Sequence, residues 1–288
     1  MASLDELLDA CIRDIQEARP GSFIERADEG GRTVIRLIGV RNAEAFQERF
    51  GEEPEGFEVV NLADPAVEPP LGFFVLNRAE SSLFTCPLRQ KLTTDLDAED
   101  GPLRALESRE SSLLVHLWDG TLGWIDRESL VPAERQSHWF SLRSSAHDPV
   151  LQESTTSDWM AVVQEARSYL GVPYVLGGRS RSRIDCSGLT SRVLRDCMGV
   201  ILPRHSTDQR RWGKRVSRSS MQAGDLIFAR WETTNVPHVG WVSEGGDTPR
   251  VIHASQEAGN VVEEPLEQFL EGYRFMGCKR LAPEKEKA

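Results

Sequence analysis

The sequence has no apolar run approaching the roughly 20 residues needed to cross a bilayer; its longest, from Leu71 to Leu76, is the size of one strand. No membrane span or membrane partner is expected. A secretory leader is missing too: Met1–Gln16 threads Asp5, Glu6, Asp9 and Asp14 through the apolar positions Leu4, Leu7, Leu8, Cys11 and Ile15, whereas such leaders need a basic start and an unbroken apolar stretch. A cytoplasmic location is the expectation. Cysteine is sparse, five in all (Cys11, Cys86, Cys186, Cys197, Cys278), scattered and without a C-x-x-C pair. That argues for a reducing compartment and against a disulfide framework or a structural zinc site. Positive charge is in deficit, 34 basic against 45 acidic residues for a net of -11, which counts against nucleic acid as a partner. What remains is an ordinary globular composition, 39% hydrophobic and 27% charged over 288 residues, long enough for two or three domains.

Charge is unevenly spread. Residues 1–70 carry 16 acidic and 7 basic side chains, while residues 177–218 carry 3 acidic and 11 basic ones. The acidic head reads as a helix over about 3–18, a hairpin across Asp28-Glu29-Gly30-Gly31, a short helix from Asn42 to Phe50 and a strand through Phe57–Asn61. A Pro-containing stretch, Asp64–Pro70, ends this first region (1–70). Residues 71–135 show short strand-like pieces, among them Leu113–Trp118 and Gly123–Ile125 around a turn at Asp119-Gly120, a small-barrel pattern with Trp124 packed inside. Residues 136–156, rich in Ser and His without a period, read as a linker. The last region, 157–288, opens with a helix capped by Ser157 or Asp158 and stopped by Gly171 and Pro173. In it Asp185 caps a second helix with Leu189, Val193 and Cys197 on its inner face, ending before Gly199. From Gly224 the pattern turns to strands: Leu226–Ala229, Val239–Val242, Val251–His253 and one near Phe275. The fold class is α+β.

This places Cys186 in the first turn of a helix, beside unpaired backbone N–H groups and the positive end of the helix dipole, which favour thiolate over thiol. Small neighbours, Ser187 and Gly188, leave room for a carbonyl whose developing oxyanion backbone N–H groups can hold. Two histidines, His238 in P-H-V-G-W and His253 in V-I-H-A-S, lie on successive strands. With an even loop between them they share a face, so that His238 can take the Cys186 proton and His253 can orient His238. The rival uses of these atoms are an inert buried cysteine and a zinc site, the latter short of a fourth ligand and of metal-type spacing.

The blocks G-V-P-Y-V-L-G-G-R-S (171–180), I-D-C-S-G-L (184–189), L-P-R-H-S (202–206), G-D-L-I-F (224–228), H-V-G-W (238–241) and V-I-H-A-S (251–255) resemble, in order and spacing, the NlpC family of papain-like cell-wall peptidases. The resemblance implies a cysteine peptidase with Cys186 as nucleophile, His238 as general base, His253 as third polar residue and Tyr174 at the oxyanion, working without a cofactor or metal. The G-G-R-S block looks like the subgroup that cuts between γ-D-glutamate and the next diamino acid of murein peptides. In that subgroup SH3-like domains precede the papain-like catalytic domain. Residues 71–135, chiefly D-G-T-L-G-W-I-D-R-E-S-L, are similar to such an SH3-like barrel, and 1–70 would be a divergent second copy or an unrelated α+β region.

By the same resemblance Asp185 reads a free substrate amine, and Ser187 and Ser206 touch substrate. Arg179, Arg181, Arg183 and Arg204 lie close in sequence to the nucleophile, where a guanidinium such as that of Arg204 can pair with a substrate carboxylate; the alternative is that they solvate a surface. Two positions depart from the subgroup: Leu176 where tryptophan is usual and His205 where aspartate is usual. The substrate expected is a free-amine murein peptide in cell-wall recycling. The alternatives are a murein-peptide binder without turnover, or a papain-like amidase or acyltransferase on another substrate.

Overall fold

A computed structural model describes residues 3–18, 24–38, 46–51, 56–62, 67–85, 88, 92–134 and 159–281. The linker expected over 136–156, the caps Ser157 and Asp158, the start of the helix expected from Asn42, and Cys86 lie outside these residues. In chain order the strands are β1 (Ile24–Glu29), β2 (Arg32–Leu37), β3 (Phe57–Asn61), β4 (Phe73–Leu76), β5 (Glu80–Phe84), β6 (Leu92–Asp97), β7 (Leu103–Arg109) and β8 (Ser112–His116). They continue with β9 (Leu122–Asp126), β10 (Leu130–Ala133), β11 (Lys214–Val216), β12 (Leu226–Trp231), β13 (Pro237–Glu244), β14 (Arg250–Ser255), β15 (Asn260–Pro265) and β16 (Tyr273–Arg280). Mixed α+β architecture is what the composition and periodicity lead one to expect.

Two compact units emerge. The first comprises residues 1–77, 83–91 and 100–148. Its head sets the amphipathic helix Leu4–Ala18 against β1, β2 and β3, with β1 and β2 antiparallel and β2 and β3 parallel. Leu8, Cys11 and Ile15, spaced three and four residues apart, put one helical face onto Ile24, Ile35, Leu37 and Phe57. The following strands run in the order β10-β4-β7-β8-β9, antiparallel throughout. The β8–β9 hairpin turns at Asp119-Gly120 as its sequence demands, and Trp124 is buried.

The second unit comprises residues 78–82, 92–99 and 149–288. Its sheet is antiparallel, in the order β11-β16-β12-β13-β14-β15. Period-2 alternation gives the sheet two apolar faces. Val239, Trp241, Ile252 and Ala254 pack with Val162, Val163 and Ala166 of the helix Trp159–Arg167 and with Leu189 and Val193 of the helix Cys186–Met198. Ile227, Val242, Val251, Leu266, Phe269 and Tyr273 form the other core. The Cys186–Met198 helix starts and stops where local chemistry dictates. Asp185 accepts the Gly188 N–H at 2.7 Å as N-cap, and Gly199 closes it in the left-handed region at φ 64°. Two strands of this sheet, β11 and β15, and the short helices Ser206–Gln209 and Leu266–Phe269 were not anticipated from the sequence.

The small segments 78–82 and 92–99 hold to each other by Ala98 N–H donating to Ala79 O (3.1 Å) and by Ser82 Oγ donating to Asp95 Oδ1 (2.9 Å). They also grip the loop that precedes the Cys186 helix. Asp95 N–H and Thr94 Oγ1 both donate to Gly177 O, at 3.1 and 2.7 Å, and Glu80 accepts from Ser182 Oγ at 2.7 Å.

Candidate active site

Cys186 is the first residue of its helix, and its sulfur is hydrogen-bonded by the backbone N–H groups of Ser187 and of Val239, the residue after His238. The helix tip therefore meets β13 at its opening residues. The side chain is only 8% exposed. Burial, with the Asp185 carboxylate adding to it, pushes the thiol up to about 12, more than the two N–H groups and Arg204 bring it down. The dipole argument from sequence is thus outweighed: the sulfur rests as a thiol and needs a base to ionise it.

His238 and His253 do share a face of the sheet. The β13–β14 register pairs Trp241 with Ile252 and Val242 with Val251, so residue 240 falls opposite 253 and residues 238 and 253 sit diagonally. His238 Nε2 and His253 Nδ1 lie 2.8 Å apart. Phe269 and Tyr273 stack on the His238 ring at centroid distances of 5.7 and 4.9 Å. Burial, reinforced by His253, holds His238 well below 6.5, so it is a neutral base at neutral pH. Tyr174 stands half-buried in the loop beside Cys186, its hydroxyl pushed up by burial and by the neighbouring Cys186 and Asp185.

Room for this diagonal pair is made by Gly240. A Cβ there would lie 2.9 Å from Ile252 O and 3.0 Å from the His253 Cβ, both on the adjoining strand. Gly240→Ala is therefore expected to push His253 off His238, costing about 1–3 kcal/mol of stability as overpacking does and most of any turnover. Thermal unfolding and kcat measured side by side check it.

Asp185 and Arg204 are used differently from what the resemblance implies. The two form a buried fork, Arg204 Nη1 donating to Asp185 Oδ1 at 3.0 Å and Nη2 to Oδ2 at 2.7 Å. Gly188 N–H, Gly177 N–H and Ser187 Oγ also donate to the carboxylate. With five donors on it, Asp185 has no acceptor place left for a substrate amine. Burial would raise its carboxyl, but Arg204 and the two backbone N–H groups overrule burial and hold it below its usual 3.8. Arg204 in turn donates to Ser187 Oγ (3.0 Å), Gly178 O (3.3 Å) and Thr94 Oγ1 (3.2 Å). The guanidinium expected to face a ligand carboxylate faces the protein's own. Ser206 is buried at the start of the short helix Ser206–Gln209.

The basic run behaves the same way. Arg181 pairs with Glu165, Arg183 with Asp95 at 2.7 Å, and Arg192 with Asp97, Glu99 and, at 2.8 Å, Asp196. Three of these acids come from residues 92–99, far back in the chain. Among the described residues no three His, Cys, Asp or Glu side chains converge as a metal-binding set, and none of their helices is long and apolar enough to cross a membrane.

Sequence reasoning missed two residues. Gln209, fully buried, donates to Ser187 O, Ser191 Oγ and Pro203 O, and accepts from Thr190 Oγ1 at 2.7 Å, tying down the first turns of the Cys186 helix. Glu264, on the unanticipated strand β15, has its Oε1 2.8 Å from His253 Nε2.

Residues 171–280 match the sequence profile of the NlpC/P60 family. The chain is 36% identical over 129 residues to the gamma-DL-glutamyl hydrolase of Bacillus subtilis, a match over 43% of this chain and 29% of that protein. It is 34% identical over 124 residues to the gamma-D-glutamyl-L-lysine dipeptidyl-peptidase of the same organism, over 42% of this chain and 40% of that one. The chain thus covers less than half the length of either relative. Among solved structures, the NlpC/p60 domain of peptidoglycan hydrolase SagA is 31% identical, with 43% of this chain matching 99% of that one at a TM-score of 0.37.

Proposed function

We propose that the chain, whose residues 171–280 belong to the NlpC/P60 family, is a cytoplasmic cysteine peptidase that hydrolyses the bond between γ-D-glutamate and a diamino acid in free-amine murein peptides. The observation that carries this reading is a helix-tip sulfur at the start of the strand whose His238 is bonded to His253. His238 Nδ1, the ring nitrogen not engaged by His253, takes the Cys186 proton as the sulfur attacks the γ-carbonyl carbon. The oxyanion is received by the Tyr174 hydroxyl and by backbone N–H groups of the helix start. The imidazolium then gives its proton to the departing amine, and a water activated by the same nitrogen releases the γ-glutamyl product from the thioester.

The likeness to a gamma-DL-glutamyl hydrolase and a gamma-D-glutamyl-L-lysine dipeptidyl-peptidase of Bacillus subtilis supports this choice of scissile bond. Ser187 and the Asp185–Arg204 fork lie buried at the start of the nucleophile's helix, the fork acting as a rigid neutral block rather than as a bare charge, and Ser206 is assigned to substrate contact. Residues 71–135, through β4 and β7 to β10, act as an SH3-like module.

Incubating the protein with L-Ala-γ-D-Glu-diaminopimelate and with its N-acetylated form tests the reading. Release of the diamino acid from the free-amine peptide alone is the expected result. Binding without products would make the protein a murein-peptide binder, and indifference to both peptides would mean an amidase or acyltransferase on some other substrate.

A further inference from the structure

Resting on the peptidase reading, we propose that Glu264 is a positioning residue that fixes the proton on each histidine nitrogen and so leaves His238 Nδ1 with a bare lone pair. The argument is one of donors and acceptors taken in order. An ionised carboxylate only accepts, so at 2.8 Å from Glu264 Oε1 the Nε2 of His253 carries its proton. With that as the ring's single proton, His253 has an unprotonated Nδ1. That atom lies 2.8 Å from His238 Nε2, so His238 must place its own proton on Nε2. The remaining nitrogen, His238 Nδ1, is left as acceptor, the state a general base requires. Reversing any one proton reverses the whole chain and puts an N–H on His238 Nδ1.

The surroundings favour a single setting of this relay. His238 and His253 are 4% and 1% exposed, so water does not compete for their nitrogens. Phe269 lies edge-on to the His253 ring at 4.8 Å and Tyr273 stacks on His238, which holds both ring planes. Tyr273 of β16, which stacks on His238, is in turn faced by Cys186 from its helix, Tyr174 from the loop and Glu257 from the β14–β15 turn. The neighbouring Glu263 is taken up by Arg167 at 2.8 Å, with Arg250 at 3.9 Å. Glu264 is therefore the carboxylate that sets the relay. When His238 becomes imidazolium in the reaction, its charge is stabilised through His253 by that same carboxylate.

The test uses the full chain carrying Glu264→Gln, Glu264→Ala or Glu264→Asp. The histidine ring nitrogens are read by 15N NMR, alongside kcat, KM and the pH profile. In the parent protein the NMR should place protons on Nε2 of both His238 and His253. In Glu264→Gln and Glu264→Ala the tautomers should scramble. Their kcat should fall about tenfold to a hundredfold, short of the ~10⁴-fold loss when a triad histidine's direct partner is changed, with KM unmoved. The acid limb should move about one unit lower, the scale of a lost neighbouring charge. Glu264→Asp should recover part of the rate. If the parent cleaves no murein peptide yet the tautomers stand as stated and scramble in Glu264→Gln, the relay holds and the peptidase reading falls. Unchanged tautomers in Glu264→Gln and Glu264→Ala, or protons on Nδ1 in the parent, would overturn the proposal.

Discussion

Cys186→Ala is expected to abolish peptide turnover, by at least about 10⁴-fold as when the nucleophile of a catalytic triad is removed, while Cys197→Ala leaves the rate nearly intact. The two sulfurs belong to one helix, but Cys197 lies eleven residues on, near its C-terminal end, where Ala161 O lies 3.7 Å from its Sγ. Equal losses in the two variants would mean that the wrong sulfur has been assigned. The same substitution reads out in stability. Because the folded thiol is raised to about 12 from an ordinary 9.0, its protonated form is worth stability that is fully present below pH 9 and is lost as pH climbs towards 12. Cys186→Ala should therefore flatten the alkaline fall in unfolding free energy by up to one proton's share, about 1.4 kcal/mol per pH unit. Urea unfolding between pH 8 and 11 checks this. In turnover, with thiol and imidazole both neutral in the productive state, kcat/KM should be bell-shaped: it rises through an acid limb below 6.5, where His238 protonates, holds through neutral solution and falls as the Cys186 thiol ionises towards about 12. Both limbs belong to the coupled pair.

Arg204→Met is the second large effect. It strands the Asp185 carboxylate in a place where it is 5% exposed, and breaking a buried pair from one side costs about 3–5 kcal/mol. The double change Asp185→Asn with Arg204→Met should recover much of that loss, because no charge is then left behind. The pH dependence carries the sign of the shift. Asp185 sits below its ordinary 3.8, so its contribution is present above pH 3.8 and disappears as pH falls through the folded value. Without Arg204 that acid slope should shrink. Urea midpoints of the three proteins, measured at pH 7 and again near pH 3, decide it. An undiminished midpoint in Arg204→Met would show that the two backbone N–H groups hold the carboxylate unaided.

What the sequence disclosed, and what it hid, divides by range. The Cys186 helix could be read to the residue because Asp185 and Gly199 act within a turn of themselves. The shared face of His238 and His253 was legible only in part: the loop 245–249 between their strands is odd, and the register shift between Val242 and Glu244 is what returns the two histidines to one face. Glu264 could not be read. V-V-E-E-P lacks alternation and ends in proline, so it looks like loop, and its strand is defined only by its pairing with β14, where His253 meets Val262. The thiol's direction of shift was misjudged for a related reason, since the dipole is a local fact and burial is not. The clustered arginines looked available for ligands because Asp95, Asp97 and Glu99 lie roughly ninety residues away along the chain.

That separation bears on how the chain comes into being. Asp97 is made 95 residues before Arg192, which is buried in the finished fold. At synthesis rates of about 5–20 residues per second, the acids wait some 5–20 s for their arginines. The second unit therefore closes late, through contacts of long sequence separation that slow folding. A gene fragment cut to residues 171–280 would carry every motif of the family and none of these acids.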